Sequence, residues 1–168
     1  MNPSKTRREP SATVRTMTTP PPEANTLQAT VSIGASTFPA RFDADPACAS
    51  YQALLRLLPY RGTVLHARWS GEAIWSPLRA AWPTPSRLPE ENAIGDPRPG
   101  QILLYAGPCS EPEILIAYGA TRFAARGGTL LGNPILTIVD RLDELARIGH
   151  AILENGASAL RIELASAA

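Results

Sequence analysis

Charge is scarce in this chain. Only 18% of its residues are Asp, Glu, Lys or Arg, and the two signs nearly cancel to a formal +1. They are scattered together, with no basic stripe and no interleaved aromatics, so nucleic acid is excluded as an expected partner. Cysteine is scarcer: Cys48 and Cys109, without paired spacing, offer neither a disulfide framework nor a zinc site. Two reduced thiols in a cytoplasmic protein are the expectation. Long apolar runs are also missing. None nears the roughly 20 residues of a membrane-spanning helix, so no membrane partner is expected. Arg7-Arg8 is followed by Glu9-Pro-Ser-Ala-Thr and not by the apolar segment an export signal requires. Histidine and carboxylates are too dispersed to suggest a metal, and no motif calls for a cofactor.

Proline is plentiful. Its 17 residues are about twice the usual share of roughly 5%, which predicts many turns and short strands. A 44% apolar content over 168 residues suffices for one ordinary core. Residues 1–26 carry Lys5, Arg7, Arg8, Arg15 and Pro20-Pro-Pro22 with almost nothing to bury, so they read as a disordered tail. Residues 27–166 read as a single domain.

That domain is organised around Pro99–Gly119. Two apolar runs, Ile102–Tyr105 and Ile114–Tyr118, flank a tight loop holding Cys109, Ser110, Glu111 and Glu113. Continuous apolar runs of this length suit strands buried on both faces. Upstream, Gln28–Ile33 and Thr37–Phe42 read as an opening hairpin around Gly34. Asp45-Pro46 then signals a helix start, with Tyr51, Leu54, Leu55 and Leu58 on one face and Pro59 as its stop. Thr63–Trp69 alternates as a third strand, with Val64, His66 and Arg68 on one face. Glu72–Trp75 returns after Ser70-Gly71. Trp82–Gly100 holds five prolines and no periodicity, the pattern of a long rim or lid loop. Thr121–Gly128 gives a short strand and a glycine turn, and Ile135–Val139 another buried strand. Leu142, Leu145, Gly149 and Ile152 mark a second helix, and Leu160, Ile162 and Leu164 the last strand. Together these elements predict a mainly β protein, a closed eight-stranded barrel capped by two α-helices.

Two segments, Asp96-Pro-Arg-Pro-Gly-Gln-Ile-Leu-Leu-Tyr105 and Gly132-Asn-Pro-Ile-Leu-Thr-Ile138, resemble the bacterial cyclophilin-like barrel domains. The likeness is nearer to a subfamily of uncharacterised cyclophilin-like proteins. It extends to His66-Ala-Arg-Trp-Ser-Gly-Glu72, Trp75, Glu91-Asn92, Ser110–Gly119 and Phe123. The resemblance implies the cyclophilin-like barrel but carries no settled activity. The arginine, phenylalanine and glutamine pattern of peptidyl-prolyl isomerases is missing. Larger relatives of the barrel occur in lactam- and urea-cleaving systems, which suggests amide or nitrogen-heterocycle chemistry by analogy alone.

The candidate site follows from residues that are expensive to bury without purpose. His66 and Glu113 are the expected proton-handling groups, with Glu113, Leu115 and Ala117 sharing a face that would look into the barrel mouth. His66 otherwise reads as a hydrogen-bonded barrel histidine. Arg68 suits a carboxylate or imide, or else an ion pair with Glu72 or Glu113. Trp69, Trp75 and Trp82 would wall a planar ligand or else fill the core. Glu72, Glu91, Asn92, Tyr105, Glu111 and Tyr118 complete the expected substrate-binding set. His150 reads as solvated or capping, and Cys109 carries no activating feature. The expected function is binding, with hydrolysis or isomerisation, of a small amide, imide or carboxylate by a self-associating protein. The alternative is a non-catalytic subunit of a larger amidohydrolase-type system.

Overall fold

The computed structural model describes residues 28–165 except 47, 84 and 85, so the tail expected at 1–26 lies outside the described residues. Eight antiparallel strands close into a barrel. In chain order they are β1 (Gln28–Ile33), β2 (Ser36–Phe42), β3 (Tyr60–His66), β4 (Gly71–Pro77), β5 (Gln101–Tyr105), β6 (Glu113–Thr121), β9 (Asn133–Ile138) and β10 (Ser158–Leu164). Around the barrel the order is β1-β10-β3-β4-β6-β5-β9-β2. A two-stranded arm, β7 (Ala124–Ala125) and β8 (Gly128–Thr129), stands apart. The helices are α1 (Ala49–Leu57) and α2 (Leu142–Asn155). None of the described helices is long and apolar enough to cross a membrane.

Alternation sorts the strand residues into two apolar clusters. Val31, Phe38, Val64, Ile74, Ile102, Leu104, Ile114, Ile116, Leu160 and Ile162 fill the interior, joined by Tyr51 and Leu54 of α1 and Leu145 and Ile152 of α2. Both helices thus extend the interior core, as helices closing a barrel must. The intervening residues Ala73, Leu103, Tyr105 and Leu115 point outward and pack under Phe123 and Leu130, on either side of the β7–β8 arm. This outer cover is why β5 and β6 read as unbroken apolar runs: both of their faces are dry.

Two local expectations are corrected. β3 starts at Tyr60 and ends at His66, and its last pairs with β4 are Leu65 with Trp75 and His66 with Ile74. Residues 67–70 form a turn, closed by the Ser70 amide donating to the Ala67 carbonyl at 2.8 Å. The Ser70 hydroxyl pins that turn to Ala124, accepting from its amide and donating to its carbonyl, each at 3.1 Å. Arg68 and Trp69 therefore ride on a turn and not on a strand face. At α1 the N-cap is Cys48, not Asp45, and its side chain makes no capping bond. Glu91 takes that role from the long loop, accepting from the amides of Ala49 and Ser50 at 2.8 and 2.9 Å and from the Ser50 hydroxyl at 2.7 Å.

The proline-rich loop is likewise tied down. Buried Asn133 donates to the Ser50 hydroxyl and the Pro89 carbonyl, and its side-chain oxygen accepts from the Glu91 amide at 2.8 Å. Trp82 is buried and donates to the Ser86 carbonyl at 2.8 Å.

Candidate functional site

A cavity of about 910 Å³ opens beside the barrel, at the upper end of the range for small-molecule sites, roughly 300–1,000 Å³. Three structural pieces border it. The β3–β4 hairpin gives Leu65, His66, Arg68, Trp69, Ser70 and Trp75. The β5–β6 loop and the head of β6 give Cys109, Ser110, Glu113 and Leu115. The β7–β8 arm and the C-terminal end of α2 supply Arg126, Ile152 and Glu154, among others. Apolar walls, two guanidiniums, an imidazole and a buried carboxyl thus meet around one space.

His66 has the inward parity of Val64 but lies at the end of its strand, where the interior opens to the cavity. Its Nε2 sits 2.7 Å from the Tyr118 hydroxyl. Its Nδ1 is buried and has no hydrogen-bond partner among the described residues. Loss of solvation, then the nearby charges of Arg68 and His150, hold the imidazole below its ordinary pKa of 6.5, so it is neutral at pH 7. Arg68 donates to the Leu153 carbonyl at 3.4 Å, near the C-terminal end of α2, where cations are favoured.

Glu113 departs from expectation. The residues that alternate with it, Ile114, Ile116 and Tyr118, belong to the interior cluster. Glu113 therefore looks outward, away from the barrel mouth, on the same face as Trp75 and Tyr105. It is only 6% exposed, and burial, then the neighbouring charge of Glu111, pushes its carboxyl up from 4.5 to about 7. His66, Arg68 and Glu113 border one cavity, yet no hydrogen bond joins any two of them among the described residues.

The remaining expected residues separate. Trp75 lines the cavity, and Trp69 stands at its edge, 69% exposed, while Trp82 belongs to the core. Tyr118 lies behind His66, buried, with its pKa raised by desolvation and then by Glu72. Glu72 sits at a β-bulge between Gly71 and Ala73 and accepts from the Ala120 amide at 2.6 Å, with His150 3.8 Å from its other oxygen. Glu111 is an exposed loop residue. Tyr105 accepts from the Cys109 amide at 3.0 Å and borders a different cavity of about 270 Å³. Glu91 and Asn92 border a third of about 70 Å³, so neither reaches the main site, and Asn92 adopts a left-handed backbone with φ of 56°.

Sequence reasoning missed Arg126, which the glycine turn of the arm presents, and the edge-on contact at 5.2 Å between Tyr118 and His150, a residue otherwise as exposed as expected. A signal existed for the latter. Gly149 lies mid-helix on the buried face, and a Cβ there would collide with the Tyr118 ring. A glycine retained at the cost of helix stability marks a close approach. Among the described residues, no three His, Cys, Asp or Glu side chains gather closely enough to hold a metal ion.

These features define a closed antiparallel barrel protein with a mixed aromatic and ionisable cavity on its flank. The chain belongs to the family described as "Protein of unknown function (DUF3830)", which matches residues 29–164. No curated protein matches it. Among solved structures it is similar to McbB, described in complex with tryptophan. The identity is 19% and the TM-score 0.58, over 84% of this chain and 46% of that one. The chain therefore spans less than half of that protein's length, and at this identity the likeness shows the fold alone.

Proposed function

We propose that the flank cavity binds a small organic molecule bearing a carboxylate, amide or imide, and that the protein hydrolyses or isomerises it. The observation that carries this reading is the convergence of Arg68, His66 and Glu113 on one cavity whose walls are aromatic. Arg68 uses one donor on Leu153 and keeps the rest of its planar fork for an anion or carbonyl. The two ionisable groups differ in the sense acid–base work requires. His66 is held neutral and able to take a proton, whereas Glu113 exchanges one near pH 7. McbB, described with tryptophan, is a protein of this fold paired with an aromatic carboxylate, which agrees with the Trp75 and Trp69 walls.

The barrel is read as cyclophilin-like from the Asp96–Tyr105 and Gly132–Ile138 segments, and the protein as bacterial, cytoplasmic and self-associating. Peptidyl-prolyl isomerisation is not part of this reading. A second reading, the non-catalytic subunit, draws on Trp69 standing 69% exposed at the cavity edge beside partly exposed Leu65. Size-exclusion mass, alone and with the product of a neighbouring gene, separates the two.

The direct test is calorimetric titration of the full chain with small aromatic carboxylates, imides and lactams. Arg68→Met is expected to weaken binding of a carboxylate at least about tenfold. Unchanged affinity in Arg68→Met and in His66→Gln would remove the proposed site.

A further inference from the structure

We infer that the cavity selects an elongated molecule with an N–H or ammonium group at one end and a carboxylate at the other. The inference rests on the reading of the cavity as a small-molecule site and adds what its far end recognises. Glu113 is the observation that demands it. Its side chain borders the cavity while the residue is 6% exposed, and no side-chain hydrogen bond or ion pair reaches its carboxyl among the described residues. Its oxygens are not among the side-chain atoms sealed from solvent without a partner, so the donors a carboxyl needs come from the cavity, from water or from a ligand that displaces it.

The groups around Glu113 do not provide the missing donor. Tyr105, its partner across β5, shares its outward face, but its hydroxyl, which accepts from the Cys109 amide, makes no hydrogen bond to Glu113 among the described residues. Glu111, on the same loop, adds only negative charge. The Cys109 thiol and Arg126 also border the cavity, and no ion pair joins Arg126 to Glu113 among the described residues. A ligand N–H is the donor that would complete this carboxyl. Proton affinity supports the assignment, because a carboxyl held at about 7 ionises readily when an ammonium docks against it.

Geometry sets the length. Glu113 pairs with Pro77 at one end of β4, and the turn carrying Arg68 precedes Gly71 at the other. Six residue steps at about 3.3 Å separate those ends by roughly 20 Å, and two inward-reaching side chains leave a span on the order of 10 Å for the ligand. Trp75, Leu65 and Leu115 line the space between, which suits a flat apolar body.

Three probes decide the matter by calorimetry on the full chain: benzoate, biphenyl-4-carboxylate and 4′-(aminomethyl)biphenyl-4-carboxylate. The aminomethyl probe is expected to bind at least about tenfold more tightly than biphenyl-4-carboxylate. At pH 6 its binding should also release a proton, read from the difference between two buffers of unlike ionisation enthalpy. Glu113→Gln should erase both differences. Equal affinity of the two biphenyls, no proton release, or benzoate binding without either biphenyl would overturn the inference while leaving the cavity's function standing. Failure of all three probes would overturn both. The proton release is measured on the unaltered protein, so the test survives a Glu113→Gln variant that does not fold.

Discussion

Replacing Glu113 with glutamine removes a titrating group while keeping its shape, and the structure fixes the expected sign and size. The carboxyl moves from 4.5 to about 7 on folding. At about 1.4 kcal/mol per tenfold change in proton affinity, the difference is about 3 kcal/mol. Because the folded pKa is raised, the native state holds the proton longer than the unfolded chain. Below pH 4.5 both states are protonated and the carboxyl carries no ionisation penalty. As pH rises from 4.5 to about 7 the unfolded chain ionises first, and stability falls. Above 7 the penalty is fully expressed. Glutamine never ionises, so Glu113→Gln should gain on the unaltered protein by about 3 kcal/mol between pH 4 and pH 8.

Urea unfolding at several pH values measures this directly. With a typical dependence of 1–3 kcal/mol per molar urea, the midpoints of the two proteins should diverge by on the order of 1–3 M across that range. Comparing the two at each pH cancels every other titrating group. A difference that stays constant from pH 4 to pH 8 would mean Glu113 is hydrated in solution, and the argument for a dry carboxyl at the cavity would collapse.

Three further outcomes follow from the geometry. Burial pulls the Glu91 carboxyl upward, but the bonds from the Ser50 hydroxyl and the Ser50 and Ala49 amides win and hold it low. Glu91→Ala should therefore cost about 1–3 kcal/mol by urea unfolding, while leaving ligand affinity in the separate main cavity unchanged. Gly149→Ala would drive a methyl into the Tyr118 ring and should cost about 1–3 kcal/mol. A variant as stable as the parent would contradict that packing. His66 should titrate below 6.5 by NMR and move back toward 6.5 in Arg68→Met, since burial and Arg68 depress it. Its contribution to stability is complete above pH 6.5 and is lost as pH falls through the folded value.

How much of this was legible beforehand differs from residue to residue. The barrel was legible because its periods are local: Leu160, Ile162 and Leu164 alternate, and Tyr51 and Leu54 share a helical face, whatever lies elsewhere. Glu113, Leu115 and Ala117 were likewise correctly grouped on one face. Which way that face pointed was not legible, because Ile114 and Ile116 are as apolar as Leu115 and the run gives alternation no contrast. Glu91 looked functional for a related reason. An acidic residue in an aperiodic loop has no local partner, and its true partners, the Ala49 and Ser50 amides, lie about forty residues away. Arg68 and Trp69 were placed on a strand because alternation continues past His66. The turn is decided by Ser70 bonding to Ala124, another long-range contact.

The same arrangement explains why the chemistry sits on the flank and not inside the barrel. Eight strands enclose just enough room for their own side chains, and here Phe38, Ile74, Ile102, Ile116 and their neighbours fill it, each under 2% exposed. A ligand site must then be built outside the wall, and a bare outer wall has no concavity. The β7–β8 arm and the end of α2 supply one by standing off from β4 and β6. Covering the wall also dries it, which makes β6 apolar on both faces and pushes the carboxyl at its head up to about 7. An acidic residue opening a strand that is otherwise apolar on both faces therefore carries two messages at once. Something covers that strand from outside, and the carboxyl lies under the edge of the cover, where burial, with the charge of Glu111 beside it, raises its proton affinity.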